Sequence, residues 1–459
     1  MRLRNPARPP ATRAGVIAGG RTADMATILA IFVALQFLLP SKLVLGMLPV
    51  SLSPASLLAL SIGLLWLCAQ MTTTLGAAKG RNPVRTMLFC YAIALVASYG
   101  SASFGYLAAD ERDNSDHAIV IVFSLIFVAL AACDGIRTRE RVYFLLRVMV
   151  VCAALVGIVG ILQFLVGFDL TAHMQLPGTY FSNDYSAVSS RAGLRRVGAT
   201  TTHPIEYAVF SAMMLPLAVH LAFRSASAGR SPRFWWACVG VIGTGVLFAV
   251  SRSGIVAFAS AAIVLVIGWP AHRRKLMIGV GVALLVAMKL VAPGLLGTFV
   301  GLFRNAGNDT SISWRTHDYA TARELIAQHP WLGRGIGTWY APKHEVFDNQ
   351  YLGALVETGI LGLVTFLGIL VAAVYAAWRV RSLARTHAAS LPTAEWDRDL
   401  ALALVAAIVP VFPAYATFDF AAFLTATSLA YLLVGISGAH LRIVRDEVEG
   451  VPIDPYAVR

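Results

Sequence analysis

Charge is what this chain has least of. Only 13% of its 459 residues are Asp, Glu, Lys or Arg, against roughly 25% in an ordinary soluble domain. Acidic residues are the scarcer sign, 24 against 37 basic ones. Cysteine is sparse too. Cys68, Cys90, Cys133, Cys152 and Cys238 all lie in or beside apolar runs, which argues against a disulfide framework or a cysteine zinc site. The short alternating segments of a membrane β-barrel are missing. So are a phosphate-binding nucleotide loop, an H-E-x-x-H pair and a Ser-His-Asp order. The first apolar run has no A-x-A-like site and more runs follow it, so no cleavable signal peptide is expected. No repeat or low-complexity tract interrupts the chain.

What fills the chain instead is apolar. Hydrophobic residues make up 58% of it and mean hydropathy is +0.70. At about 20 residues per crossing, that is enough for at most about 13 membrane spans. A soluble enzyme, a disordered chain and a small secreted domain are excluded. The runs predict twelve helices, near 25–40, 54–74, 84–105, 117–135, 142–167, 205–223, 234–250, 254–270, 276–292, 350–378, 400–418 and 420–439. The expected fold class is therefore an all-α polytopic membrane protein of about twelve transmembrane helices. A basic tail (1–24) precedes the membrane domain (25–439), and a short tail (440–459) follows it.

Basic residues set the orientation. Arg2 to Arg21, Lys79 to Arg85, Arg137 to Arg141, Arg224 to Arg233, Arg273 to Lys275, Arg379 to Arg398 and Arg442 to Arg459 fall in every second connection. The alternate connections are poor in Lys and Arg or acidic, as at Asp110, Glu111, Asp113 and Asp116. The positive-inside rule then predicts a multi-pass protein of the cytoplasmic (inner) membrane with both termini cytoplasmic. It also accounts for the net charge of +13 without invoking nucleic acid. Two long loops, about 168–204 and 293–349, share the outer face, and long ordered loops are where function concentrates.

The first outer loop ends in RRVGATTTHPIEYAVF, Arg195 to Phe210. Arg196 is either a headgroup contact or a substrate ligand. Glu206 reads as a helix-start partner or an arginine partner. Between helices 7 and 8 lies SRSG, Ser251 to Gly254. Ser251, Arg252 and Ser253 at a helix start offer hydroxyls, a guanidinium and free N–H groups, a setting for an anion such as phosphate. A short turn with a snorkelling arginine is the bland alternative.

The second outer loop carries SISWRTHDYATARELIAQHPWLGRGIGTW, Ser311 to Trp339. With Ser313 as N-cap and Trp314, Ala322 and Leu325 on one face, it predicts an amphipathic surface helix. Arg315 then falls in the first turn, where a cation needs an anionic partner. GRGIG, Gly333 to Gly337, reads as a turn. His344 and Asp348, four apart, share a face on a helical reading. Asp348 and Asn349 sit at the mouth of the tenth helix and Glu357 about two turns deeper, where an ionisable group is usually functional. Asp397 and Asp399 read as part of a solvated loop. Whether Asp419 joins the site is left open at this stage. Outer arginines with a carboxylate and a histidine suit a lipid-linked phosphate or diphosphate.

In this order the motifs resemble the O-antigen ligase and polymerase family of membrane glycosyltransferases. Asn349, nine residues, then Gly359 and Gly362 match part of the ligase signature. Arg252 matches the arginine after helix 7, and Arg315 the arginine ahead of a Pro-x-x-Gly-x-Gly-like stretch. The family has histidine where Asp348 stands. The resemblance implies a GT-C-like O-antigen ligase fold and a polyprenyl-diphosphate-linked glycan as donor. It implies inverting transfer on the outer face, without metal or cofactor, to a glycan, lipid or protein hydroxyl. Arg252 and Arg315 would hold the diphosphate. Asp348 or His344 would serve the acceptor, and Arg196, Ser251, Ser253, Asn349 and Glu357 would contact substrate. A polymerase shares that chemistry and differs in acceptor. From another class, a twelve-helix secondary transporter of a solute or lipid-linked saccharide fits the same layout.

Overall fold

The computed structural model describes residues 24–450 except 47–50, 73–79, 106, 175, 183–187, 192–193, 292–309 and 342, with backbone alone for 190–191, 194, 280, 283–285, 287–288, 290–291 and 310–318. The described helices are α1 (Met25–Leu38), α2 (Pro54–Met71), α3 (Pro83–Phe104), α4 (Ala109–Gly135), α5 (Arg139–Leu165), α6 (Pro204–Ser227), α7 (Arg233–Phe248), α8 (Arg252–Gly268) and α9 (Ala271–Val291). They continue with α10 (Thr310–Gln328), α11 (Gln350–Thr386), α12 (Ala394–Ile408), α13 (Val411–Tyr415) and α14 (Leu424–Val448). Three starts share one device. Ser53, Asn82 and His203 cap α2, α3 and α6 with a side-chain acceptor, and proline follows each, where its missing N–H is not needed.

Among the described residues, eight helical segments are long and apolar enough to cross a membrane, and α1, α7 and α8 are shorter apolar helices. The protein is a multi-pass, mostly helical membrane protein. The apolar runs of the sequence became helices with shifted ends, and the run 400–418 is divided at Val409 and Pro410 into α12 and α13. The fourth starts at Ala109 because Asp110 and Glu111 suit a helix N-terminus. The helix expected from Ser313 starts at Thr310, so Ser313 lies inside it and is not its cap.

Burial is arranged for lipid. Leu64, Ile93, Ile267, Val371 and Trp378 are exposed on the outside of the bundle, a surface that water would penalise. α6 and α14 run through the middle, 94% of each span lying inside. Charge sits within the bundle near one end. Asp397 takes Nε and Nη2 of Arg139, both at 2.9 Å, and faces Nε2 of His440 at 3.1 Å. Asp399 faces Nδ1 of His220 at 2.6 Å and accepts from Arg273. The solvated-loop reading of Asp397 and Asp399 is therefore wrong. They anchor α12 to α5, α6, α9 and α14 through partners far away in sequence.

Two small sheets that an all-α expectation omitted involve the segment between α5 and α6, one of them together with the segment between α1 and α2. β1 (Leu43–Leu45) pairs antiparallel with β2 (Thr179–Phe181), and β3 (Val188–Arg191) with β4 (Leu194–Val197). Glu206, fully buried at the start of α6, accepts from the backbone N–H of Thr202, Thr425 and Ala426. It is a structural carboxylate that ties the segment before α6 to the start of α14.

Candidate functional site

The decisive local feature is a break in α11. Gly359 has φ 65° and ψ −168°, a region open essentially to glycine alone. The break frees backbone groups that lipid cannot satisfy. The loop after α10 satisfies them. Arg334 and Gly335 N–H donate to the carbonyls of Val356 and Glu357 at 2.8 and 2.9 Å. Ile360 and Leu361 N–H donate to Pro330 and Trp331 at 2.9 and 3.2 Å. Gly333, Gly335 and Gly337 all have positive φ, so GRGIG is a turn, shaped to fill the broken helix. Ser98 Oγ adds a bond to the Glu357 carbonyl at 3.0 Å, which joins α3 to the same point.

Above the break lies a cavity of about 510 Å³ between α3, α4, α11, the loop around 336–347 and the turn after α13. Tyr91, Trp339, Phe347 and Tyr415 give it aromatic walls, and Glu357 and Asp419 give it two carboxylates. Glu357 Oε1 accepts the Trp339 N–H at 3.3 Å. Burial pushes the Asp419 carboxyl up to about 7, and the nearby Asp348 carboxylate adds to the rise. An apolar pocket with a few convergent polar groups is the usual form of a ligand site.

The other sequence-derived residues divide around this cavity. Asn349 is the N-cap of α11, with Oδ1 accepting from Tyr351 N–H at 3.0 Å, and its Nδ2 donates to Tyr319 on α10 at 3.4 Å. Asp348, half-buried, precedes it at the mouth. The helical pairing of His344 with Asp348 is not observed, because both precede the helix. His344 turns to Glu111 instead, with Nε2 to Oε1 at 3.1 Å, and stacks on Trp339 with ring centroids 4.2 Å apart. Arg334 and Lys343 join the same carboxylate, and Tyr340 donates to Asp110. The acidic start of α4 thus latches the loop. Ala322 and Leu325 of α10 do share a face, packed with Phe347 and Val356.

Residues 237–367 match the O-antigen ligase family. That match takes in α7 to α10 and the first half of α11, and it supports an O-antigen ligase-type family for the chain. Comparison with curated proteins returned no match. Ligase-type glycan transfer in the membrane is the activity class that the match carries. Arg252, Arg315, Asp348, Asn349, Glu357, Gly359 and Gly362 all fall inside the ligase-like stretch, whereas Arg196 and Asp419 lie outside it.

Arg252 of this O-antigen ligase-type segment marks a second locus. α8 opens at Arg252, and Ser251 caps it by accepting the Gly254 N–H at 3.4 Å. Ser253 is buried in the first turn. Just before them Val250, a buried β-branched residue, has φ 45°, a strained conformation for its type. Arg196 on β4 donates from Nε to the Ala249 carbonyl at 2.9 Å, so Arg196 and Arg252 flank one short link. Neither lines the carboxylate cavity. α13, which packs on α8, supplies Tyr415 to its wall. The Arg315 side chain lies outside the described residues. Among the described residues, no group of three His, Cys, Asp or Glu is set to hold a metal ion.

Sequence reasoning left Asp419 open. It stands after α13 in a 3-10 turn and gave no motif. Its only signal was a carboxylate in an apolar run.

Proposed function

We propose that the protein transfers a glycan from a polyprenyl-diphosphate carrier to a hydroxyl acceptor on the outer face of the membrane. The observation that supports this best is that α13, which packs on α8 and supplies Tyr415 to the cavity wall, connects two loci. One is a strained helix start with Arg252, flanked by Arg196. The other is an aromatic cavity with carboxylates at its mouth and depth. The arginines hold the diphosphate and neutralise its charge as it leaves, with bidentate contacts. Arg315, at the start of α10, is assigned to the same anion. Inversion follows if the acceptor oxygen attacks from the cavity side while the diphosphate departs toward the arginines. The leaving group is good, so positioning and charge stabilisation carry most of the rate.

For the acceptor we assign the base to the carboxylates at the mouth, Asp348 with Asp419. Burial raises the Asp419 carboxyl to about 7, so it takes up and releases a proton near neutral pH. His344 is spoken for by Glu111 and Trp339 and is assigned to hold the loop. Glu357 and Asn349 orient substrate or the walls around it.

A transporter reading draws on one observation, the broken α11 beside Glu357, since interrupted helices mark transport sites. Here the freed backbone groups are bonded to the 330–335 segment, which leaves no carbonyl cage for an ion.

The experiment is transfer by purified protein in liposomes, with a polyprenyl-diphosphate glycan and acceptors, over a range of pH. Wild type releases polyprenyl diphosphate in step with transfer. Its rate rises through about pH 7, because Asp419 is protonated below that value and a base must be ionised. Asp419→Asn loses this limb and about 10²–10⁴-fold of the rate. An unchanged profile in Asp419→Asn would remove it from the base assignment. Solute uptake without transfer would favour the transporter.

A further inference from the structure

A second large cavity lies at the other end of α8. It measures about 830 Å³ and opens between the α8–α9 turn, the end of α11 and the start of α12. Five arginines line it, Arg273, Arg274, Arg381, Arg385 and Arg398, against two carboxylates, Glu395 and Asp399. Most of the internal partners are already committed. Asp399 is engaged by His220 and Arg273. Arg274 donates from Nε to the Trp269 carbonyl at 2.7 Å. Glu395 is exposed in the first turn of α12, where the helix dipole favours a carboxylate.

That leaves Arg381, Arg385 and Arg398, none of which makes an ion pair among the described residues. The Nε of Arg398 is buried with no hydrogen-bond partner. Like charges around one cavity repel, and a buried unpaired donor is unfavourable. A bound oxyanion relieves both, and guanidinium forks fit phosphate oxygens. The wall also says where the anion comes from. Ile267 lines the cavity and is 75% exposed on the lipid-facing side of α8, with Ile263 one turn above at 58%. A headgroup in the arginines would leave acyl chains along that face.

We propose that this cavity binds the phosphate of an anionic phospholipid from the leaflet at that end. Basic pockets between membrane helices take such headgroups. The site is separate from the transfer reaction, about one helix length away.

Native mass spectrometry of the purified full chain tests this, with phosphatidylglycerol, phosphatidylcholine and inorganic phosphate as probes. Wild type is expected to retain phosphatidylglycerol about a hundredfold better than phosphatidylcholine. Arg381→Gln/Arg398→Gln should bring the two lipids level. Arg385→Gln, on an exposed arginine, guards against misfolding and should give a partial loss. Millimolar inorganic phosphate should leave the lipid bound. Displacement by phosphate would overturn the lipid assignment in favour of a soluble phosphate compound. Equal retention of both lipids by wild type, unchanged in the variants, would overturn the site itself.

Discussion

Arg252→Ala is expected to abolish glycan transfer while the protein stays folded. The link between α7 and α8 is the reason. Ser251 caps α8, Val250 is held at positive φ, and the Arg196 side chain bonds the Ala249 carbonyl. The chain accepts strain here to fix where the first residue of α8 stands. Arg252 is that residue, at the positive end of a helix dipole. As a diphosphate leaves, charge grows on its bridging oxygen, and a preorganised guanidinium stabilises that state more than the bound donor. Losing one such donor removes about 10²–10³-fold of rate, or about 2.7–4 kcal/mol. Arg252→Lys should recover part of it, since it keeps the charge and loses the fork. Turnover numbers beside thermal unfolding curves check this. Normal turnover in Arg252→Ala would remove the anion role.

Gly359→Ala should cost both stability and activity. An added Cβ would stand 2.4 Å from the carbonyl carbon and oxygen of Trp331, at a φ that L-residues avoid. Either α11 straightens or the 330–335 segment lifts away. Four backbone bonds between the loop and the broken helix are then at risk. The loop carries Trp339 and Phe347, two walls of the cavity, and a shift of about 1 Å in a reacting group can cost about 10²-fold. Gly100→Ala, in α3 and outside the cavity lining, is the control, because its Cβ meets nothing within 4 Å. The expected result is a lowered melting temperature and little transfer for Gly359→Ala, with Gly100→Ala like wild type. Identical behaviour of the two variants would contradict the interlock.

The helices were legible because a membrane span needs a long apolar run, and such runs leave no other reading. The motif residues were legible in position. Arg252 stands at a helix start, Asn349 caps one, and Gly359 and Gly362 sit at the break and its next turn. What stayed hidden depends on distant partners. Asp397 looks solvated beside Arg398, yet its bidentate partner is Arg139, 258 residues away. His344 looked paired with Asp348 by spacing, but the helix begins only after Asn349, and Glu111 claims the imidazole. The four strands have three or four residues each, too short for a period of two to show. GRGIG read correctly as a turn. Its function as the filler of a broken helix needed the helix in view.

The central claim is that the donor meets the cavity between Glu357 and Asp419. Photo-cross-linking tests it most directly, with a light-activated amino acid at one position and a labelled polyprenyl-diphosphate glycan as the target. Val346 lines the cavity and is exposed. Trp378 is more open still but lies near the far end of α11, facing outward. The account predicts donor cross-links from position 346, competed by unlabelled donor, and only background from 378. Saturable labelling from 378 with none from 346 would contradict it.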